Sequence, residues 1–414
     1  MASKYSQIIT KNITNVGPRS MLYAVNTNMK KSHIGVISMY NTNNPCNIHL
    51  NKFQNLVIKS LKDYNAFKFN VASVSDGISM GTSAMNYSLP SRELIANSIE
   101  TISNAYHHDG MISIASCDKT IPGSLMGMIT VNKPSILVYG GSILPGKYNS
   151  QDVDIVDAFQ SQTKIKNPIE REEFIKTCCD PRGGSCSGMY TANTMAIVSE
   201  VLGLSLPNSS SIPAICNIKE DECKTINQYL DNLIQNDIKP SDILTRTSFK
   251  NAINVVYALG GSTNAILHLL AIAKYANIKL SLNDFKQDDI PVIGNFKPSY
   301  KYRMVDLHKI GGTTAFIRYL SENGYFDPSA LTVSGKTWEE LIENSLKINF
   351  NNQDVILPFE KPIKKTSHIK ILEGNLSPNG CVAKVKSDKY FSGPVKVFNN
   401  EDEFIKKINL IQDG

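Results

Sequence analysis

Over its first 150 residues the sequence alternates apolar strand-like runs with helix-period stretches, and no other feature restricts the possible folds so strongly. The runs are "HIGVISMYN" (33–41), "FKFNVASVS" (67–75), "MISIASC" (111–117) and "SILVYGG" (135–141). Between them lie "NIHLNKFQNLVIKSLKDY" (47–64), "SLPSRELIANSIETISNAYHH" (88–108) and "GSLMGMITVN" (123–132). This pattern predicts an α/β fold, a parallel sheet flanked by helices. In the second helix Ser88 is expected to cap, Pro90 suits the first turn, and Leu94, Ile95, Ile99 and Ile102 share a face. Right-handed crossovers bring every strand's C-terminal end to one edge, where such sheets bind ligands. The residues expected there are Asn41 with Cys46 just beyond, Asp76-Gly77, Cys117-Asp118-Lys119 and Gly140-Gly141.

From about 150 to 350 the chain reads as mostly helical. Two Gly-rich loops run into helices, at "CCDPRGGSCSGMYTANTMAIVSEVLGL" (178–204) and "GGSTNAILHLLAIAKYA" (260–276), and exposed amides at such helix starts can hold an anion. Neither stretch matches a Walker loop or a dinucleotide fingerprint. From residue 366 short strand-like pieces and turn signals predict a smaller β-rich, barrel-like domain. The expected division is therefore 1–365 for the α/β domain and 366–414 for an incomplete start of the second, with the chain truncated at its C-terminus.

Composition narrows the partners. The net charge of +6 comes from scattered residues, mostly Lys, with no aromatic-interleaved basic stripe, so nucleic acid is not expected. No apolar run approaches the roughly 18 residues needed to span a bilayer. The first acidic residue is Asp63, which would suit a transit peptide, but the folded pattern begins by "GPRSMLYA" (17–24) and there is no apolar signal core. A cytoplasmic protein is expected, and its eight cysteines are expected to be reduced thiols.

Cys46, Cys117 and Cys186 are about seventy residues apart, far too distant for a local zinc or ferredoxin motif. Taken alone, Cys117 reads as a small buried hydrophobe ahead of a ligand. All three, however, follow strand ends or Gly-rich loops, where backbone amides can stabilise thiolates and cluster sulfides. Three thiolates on a small iron–sulfur cluster leave one iron open as a Lewis acid. Asp76 and Asp118, at adjacent or near-adjacent strand ends, suit an octahedral Mg²⁺; alternatively Asp76 caps its turn and Asp118 is a solvated loop residue. Lys119 would repel a metal, so it acts as a nearby cation or is converted to an anionic carbamate. His49 reads equally as a packed or capping group or as a ligand, and His107-His108 as partners of a helix macrodipole. Cys178 and Cys179 are taken as structural; Cys216, Cys223 and Cys381 lack supporting context.

The segments "NPCNIHL", "SDGISMGTSAMNYSLPSRELIANSIE", "SCDKTIPGSLMG", "GGSCSGMYTANTM" and "GGSTNAILHLLAIA" resemble, in order, those of the dihydroxy-acid dehydratases, within the wider group that includes sugar-acid and phosphogluconate dehydratases. The resemblance implies that Cys46, Cys117 and Cys186 ligate the cluster, and that Asp76, Asp118 and a carboxylated Lys119 hold Mg²⁺. Cys46 in "NPCNIHL" is similar to the [2Fe–2S] members. The implied reaction dehydrates a small 2,3-dihydroxy-3-methyl carboxylate to a 2-oxo acid in valine and isoleucine synthesis, by a homodimer. It also implies a serine base and a further Mg²⁺-binding glutamate in the second domain. Neither motif is present, and the context of Ser392 in "KYFSGPVKVF" differs, so the catalytic base is unassigned and the activity of the chain as given is in question. A sugar-acid dehydratase and a non-catalytic cluster-binding remnant are the alternatives.

Overall fold

The computed structural model describes residues 5–386, 390 and 392–411. The chain divides into two compact units, Met1–Lys384 and Val385–Gly414. In the first, β1 (His33–Ser38), β2 (Asn65–Asn70), β3 (Gly110–Ala115) and β4 (Ser135–Tyr139) form a sheet of order β2-β1-β3-β4. Every pairing is parallel, with Val36 opposite Lys68 on one side and Ile112 on the other. β1, β3 and β4 are wholly buried, as their nearly continuous apolar sequences require, whereas β2 exposes Lys68 and Asn70 at the sheet edge.

The strands end earlier than their apolar runs suggest. At β3 the reason is local: Thr120 Oγ1 accepts the backbone N–H of Ser116 (3.2 Å) and Cys117 (2.8 Å), drawing the chain out of the ladder. Helix Thr120–Val131 starts immediately afterwards.

That helix is buried on nearly every side and packs against helix Ser88–Ala105. The approach is close enough that a Cβ on Gly123 would meet Arg92 O at 2.8 Å, and one on Gly127 would meet Ile99 Cβ at 2.8 Å. Two expectations for Ser88–Ala105 change as a result. Its buried face carries Arg92, Ile95, Ala96 and Ile99, while Leu94 points outward, because the partner helix lies over the former set. Ser88 lies inside the helix, after an uncapped Tyr87, and its hydroxyl donates to Asp76 instead.

His107 and His108 also differ from expectation. His107 takes a left-handed turn (φ 50°), and His108 is buried, stacked on Phe67 with ring centroids 6.0 Å apart. Burial holds the His108 imidazole down at about 3, so it is neutral and offers no charge to a helix dipole.

Beyond β4 a short hairpin, β5 (Gly146–Tyr148) with β6 (Gln151–Val153), precedes a largely helical stretch that includes Thr191–Val201, Asn217–Gln235, Arg246–Ala258, Asn264–Tyr275 and Gly312–Glu322. The C-terminal β texture appears as an antiparallel hairpin, β7 (Ile369–Leu372) with β8 (Cys381–Lys384). The second unit contains helix Glu401–Lys407, with Phe404 packed edge-on against Phe398. Among the described residues no helix is long and apolar enough to cross a membrane.

The glycine contact between the two helices gives a direct test. Gly127→Ala is expected to destabilise the fold by about 1–3 kcal/mol through overpacking against Ile99, read as a lower urea midpoint at unchanged slope. An unchanged midpoint would contradict the close approach.

Candidate functional site

At the C-terminal edge of the sheet a cavity of about 130 Å³ opens. Its walls include Cys46, Cys117, Cys186, Asp76 and Asp118, delivered by four separate segments. Cys46 lies beyond β1 in a turn closed by its own N–H donating to Asn44 Oδ1 (2.9 Å). Pro45 O accepts the Gly184 N–H (3.1 Å), tying this turn to the loop that carries Cys186. That contact needs glycine: Gly184 has φ +133°, and a Cβ there would strike Ile143 N at 2.6 Å.

The Cys186 loop is pinned from beneath. Asn193 Nδ2 donates to Cys186 O (2.5 Å) and Gly188 O (2.6 Å), while Asn193 Oδ1 accepts the Tyr139 hydroxyl (2.6 Å), which also bonds Ser185 Oγ. The end of β4 therefore sets the height of the loop. His49, one turn beyond Cys46, packs under the same region, its Nε2 2.8 Å from Gly140 O. Burial holds its pKa down at about 4.

The thiols interact with one another. Cys46 is raised well above the usual thiol range, first by hydrogen-bonding contact with Cys117 and Cys186, then by burial. All eight cysteines are free. Among the described residues no three His, Cys, Asp or Glu groups are drawn together into a single-ion site.

In the same cavity Asp76 accepts hydrogen bonds from Ser88 Oγ and from Lys119 Nζ (2.6 Å), the latter an ion pair with both side chains buried. Asp118 is pushed up to about 7, first by burial, then by the charge of Asp76 and a hydrogen bond between the two carboxyls. Lys119 and the Ala192 N–H only partly offset this. The N-terminus of helix Thr191–Val201 is thus already engaged by a carboxyl group of the protein itself. Two crowded carboxyls facing one ammonium are short of positive charge.

The structure therefore brings five of the six selected residues to one cavity, and Lys119 reaches it through Asp76. It also adds Cys178 and Cys179, taken from sequence as structural, together with Asp154 and Ser187. Cys178 is buried and Cys179 exposed. The available signal was their place on the same Gly-rich loop as Cys186. Cys216, Cys223 and Cys381 do not line the cavity. The loop before Asn264–Tyr275 is not an open anion site: Asn264 N–H donates to Ser262 Oγ (3.2 Å), and Lys384 and His368 take up the carbonyl of Gly261. Ser392 is exposed, in the second unit.

The sequence matches the family described as "Dihydroxy-acid/6-phosphogluconate dehydratase N-terminal" over residues 31–341 and its C-terminal counterpart over 354–414. The chain belongs to the dihydroxy-acid/6-phosphogluconate dehydratase family. Relatives of this dehydratase-family chain include a protein named dihydroxy-acid dehydratase from Lactococcus lactis subsp. cremoris, 44% identical over 98% of this chain and 74% of that protein. The mitochondrial dihydroxy-acid dehydratase of Saccharomyces cerevisiae is 46% identical over 98% of this chain and 72% of its own length. For the chloroplastic one of Arabidopsis thaliana the figures are 45%, 98% and 69%.

The buried histidines beside this site in the dehydratase-family chain predict a pH dependence. His49 and His268 are held by burial at about 4 and about 3, against an ordinary 6.5. As pH falls below 6.5 the unfolded chain takes up protons on both rings while the folded chain does not, so each contributes a loss of stability on acidification. The loss is about 1.4 kcal/mol per histidine between pH 7.5 and 5.5. His268→Gln should flatten the dependence of unfolding free energy on pH by that amount; curves of identical slope for variant and parent would contradict it.

Proposed function

We propose that this chain is a dihydroxy-acid dehydratase, removing water from 2,3-dihydroxy-3-methyl carboxylates to give 2-oxo acids in valine and isoleucine biosynthesis. The observation that carries the reading is the single cavity lined both by the thiols of Cys46, Cys117 and Cys186 and by the carboxyls of Asp76 and Asp118. The relatives named dihydroxy-acid dehydratase support the substrate class.

The donor set suits two inorganic groups. Cys46, which interacts with both Cys117 and Cys186, completes a set of three neighbouring thiols, the ligand chemistry that suits a [2Fe–2S] cluster. Asp76 and Asp118 suit a Mg²⁺, which would relieve the repulsion that keeps Asp118 protonated near neutrality. A carbamate, formed from the neutral Lys119 amine and carbon dioxide with the protons of the ammonium released to solvent, would replace the cation beside Asp76 with oxygen donors suited to Mg²⁺. When bound, the pair supplies two Lewis acids, one for the departing 3-hydroxyl and one for the carboxylate and 2-hydroxyl.

The protein's part is positional. Cys117 and Asp118 are consecutive, so one turn held by Thr120 Oγ1 sets the separation of the two halves of the site. Ser88 orients Asp76, and Ala192 N–H orients Asp118. We take the working unit to be a homodimer in the cytoplasm, with the free thiols supporting a reducing compartment. Light scattering reads the oligomeric state.

Anaerobic reconstitution of the full chain with iron, sulfide and Mg²⁺ tests the reading. Expected results are a [2Fe–2S] absorption spectrum, its loss in Cys117→Ser, and turnover of 2,3-dihydroxyisovalerate in preference to gluconate-type acids. A colourless protein, or a spectrum retained in Cys117→Ser, would overturn the cluster assignment. Preference for the sugar acid would overturn the substrate assignment, and a cluster-loaded chain without dehydration would indicate the non-catalytic remnant.

A further inference from the structure

The thiol wall of the cavity contains a hydroxyl with nothing to bond. Ser187 is 1% exposed and lines the cavity beside Cys46, Cys117 and Cys186, yet its Oγ has no hydrogen-bond partner. Among the described residues of that wall, no other buried side-chain oxygen or nitrogen is left unpaired. A buried hydroxyl without a partner is costly, and polar groups in such positions are normally satisfied by protein, water or ligand.

Its backbone setting is fixed on both sides. Ser187 O accepts the Met304 N–H (2.8 Å), and Asn193 Nδ2 donates to the carbonyls of Cys186 and Gly188. The nearby hydroxyl of Ser185 is already engaged, by Tyr139 and by Gly141 O. Ser187 alone of the two is free to serve a group in the cavity. The partner it lacks must be an acceptor if the hydroxyl is to donate, and the acceptors a thiol-lined wall would supply are sulfurs.

We propose that Ser187 Oγ–H donates a hydrogen bond to a sulfur of the cluster held by Cys46, Cys117 and Cys186, an inference that rests on the cluster reading above. A donor at sulfur draws electron density from it and stabilises the more negative, reduced state, so it raises the reduction potential. Ser187 is then a tuning residue rather than a catalytic one.

The test compares the full chain with Ser187→Ala and Ser187→Thr after anaerobic reconstitution. Iron content, the midpoint from spectroelectrochemical titration, and exchangeable-deuteron coupling in pulsed EPR of the reduced cluster are measured. With iron content unchanged, Ser187→Ala is expected to shift the potential to a more negative value and to lose one exchangeable coupling, and Ser187→Thr to restore both. Unaltered potential and coupling in Ser187→Ala would overturn the proposal. A change confined to the KM for the dihydroxy acid would assign the hydroxyl to substrate and overturn it as well. If the parent chain takes up no cluster, the underlying reading fails, and that is seen before any variant is compared.

Discussion

A parallel ladder cannot be closed by a tight turn, so each strand must leave the sheet, cross a face and return at the starting edge. With β1 hydrogen-bonded to β2 on one side and β3 on the other, the loops after all three strands emerge together. Those loops carry Cys46, Asp76 and the Cys117-Asp118-Lys119 run. β4 adds Tyr139, whose hydroxyl anchors the Cys186 loop through Ser185 and Asn193. The meeting of residues spread over 140 positions of sequence follows from strand direction and a few side-chain tethers.

Within that frame the two carboxyls are crowded together. Asp76 and Asp118 share one buried ammonium, and Asp118 holds its proton to about 7 because burial and its neighbour both oppose ionisation. On the thiol wall Cys46 is held protonated by its two neighbours and by burial. Both features have one cause: acidic groups are crowded closer than their own charges favour. Cys117 and Asp118, adjacent in sequence, both line the cavity at the point where the chain leaves an extended strand for a helix.

Much of this was legible in the residues. Continuous apolar runs at 33–38, 110–115 and 135–139 specify buried strands, and their alternation with helical periods specifies the parallel sheet. What periodicity could not show was where each ladder stops, since Thr120, four residues beyond Ser116, ends β3 with a side chain. Leu94 and Ile95 are equally apolar; the position of the neighbouring helix, admitted by Gly123 and Gly127, decides which is buried. Ser88 has the chemistry of a cap, and a carboxylate from another segment claims it. Cys178 and Cys179 read as structural because adjacent thiols seldom serve one centre, and the structure adds that both line the cavity.

The sequence by itself determined the fold class, the family and the identities of the groups at the strand ends, because these depend on local apolar pattern, chain direction and residue chemistry. Only the tertiary structure decided that Lys119 stands behind Asp76, that Asp118 is caught between burial and a like charge, that two further cysteines line the cavity, and that Ser187 faces it unpaired. Those are properties of distance and dielectric surroundings, which arise when segments far apart in sequence are packed together.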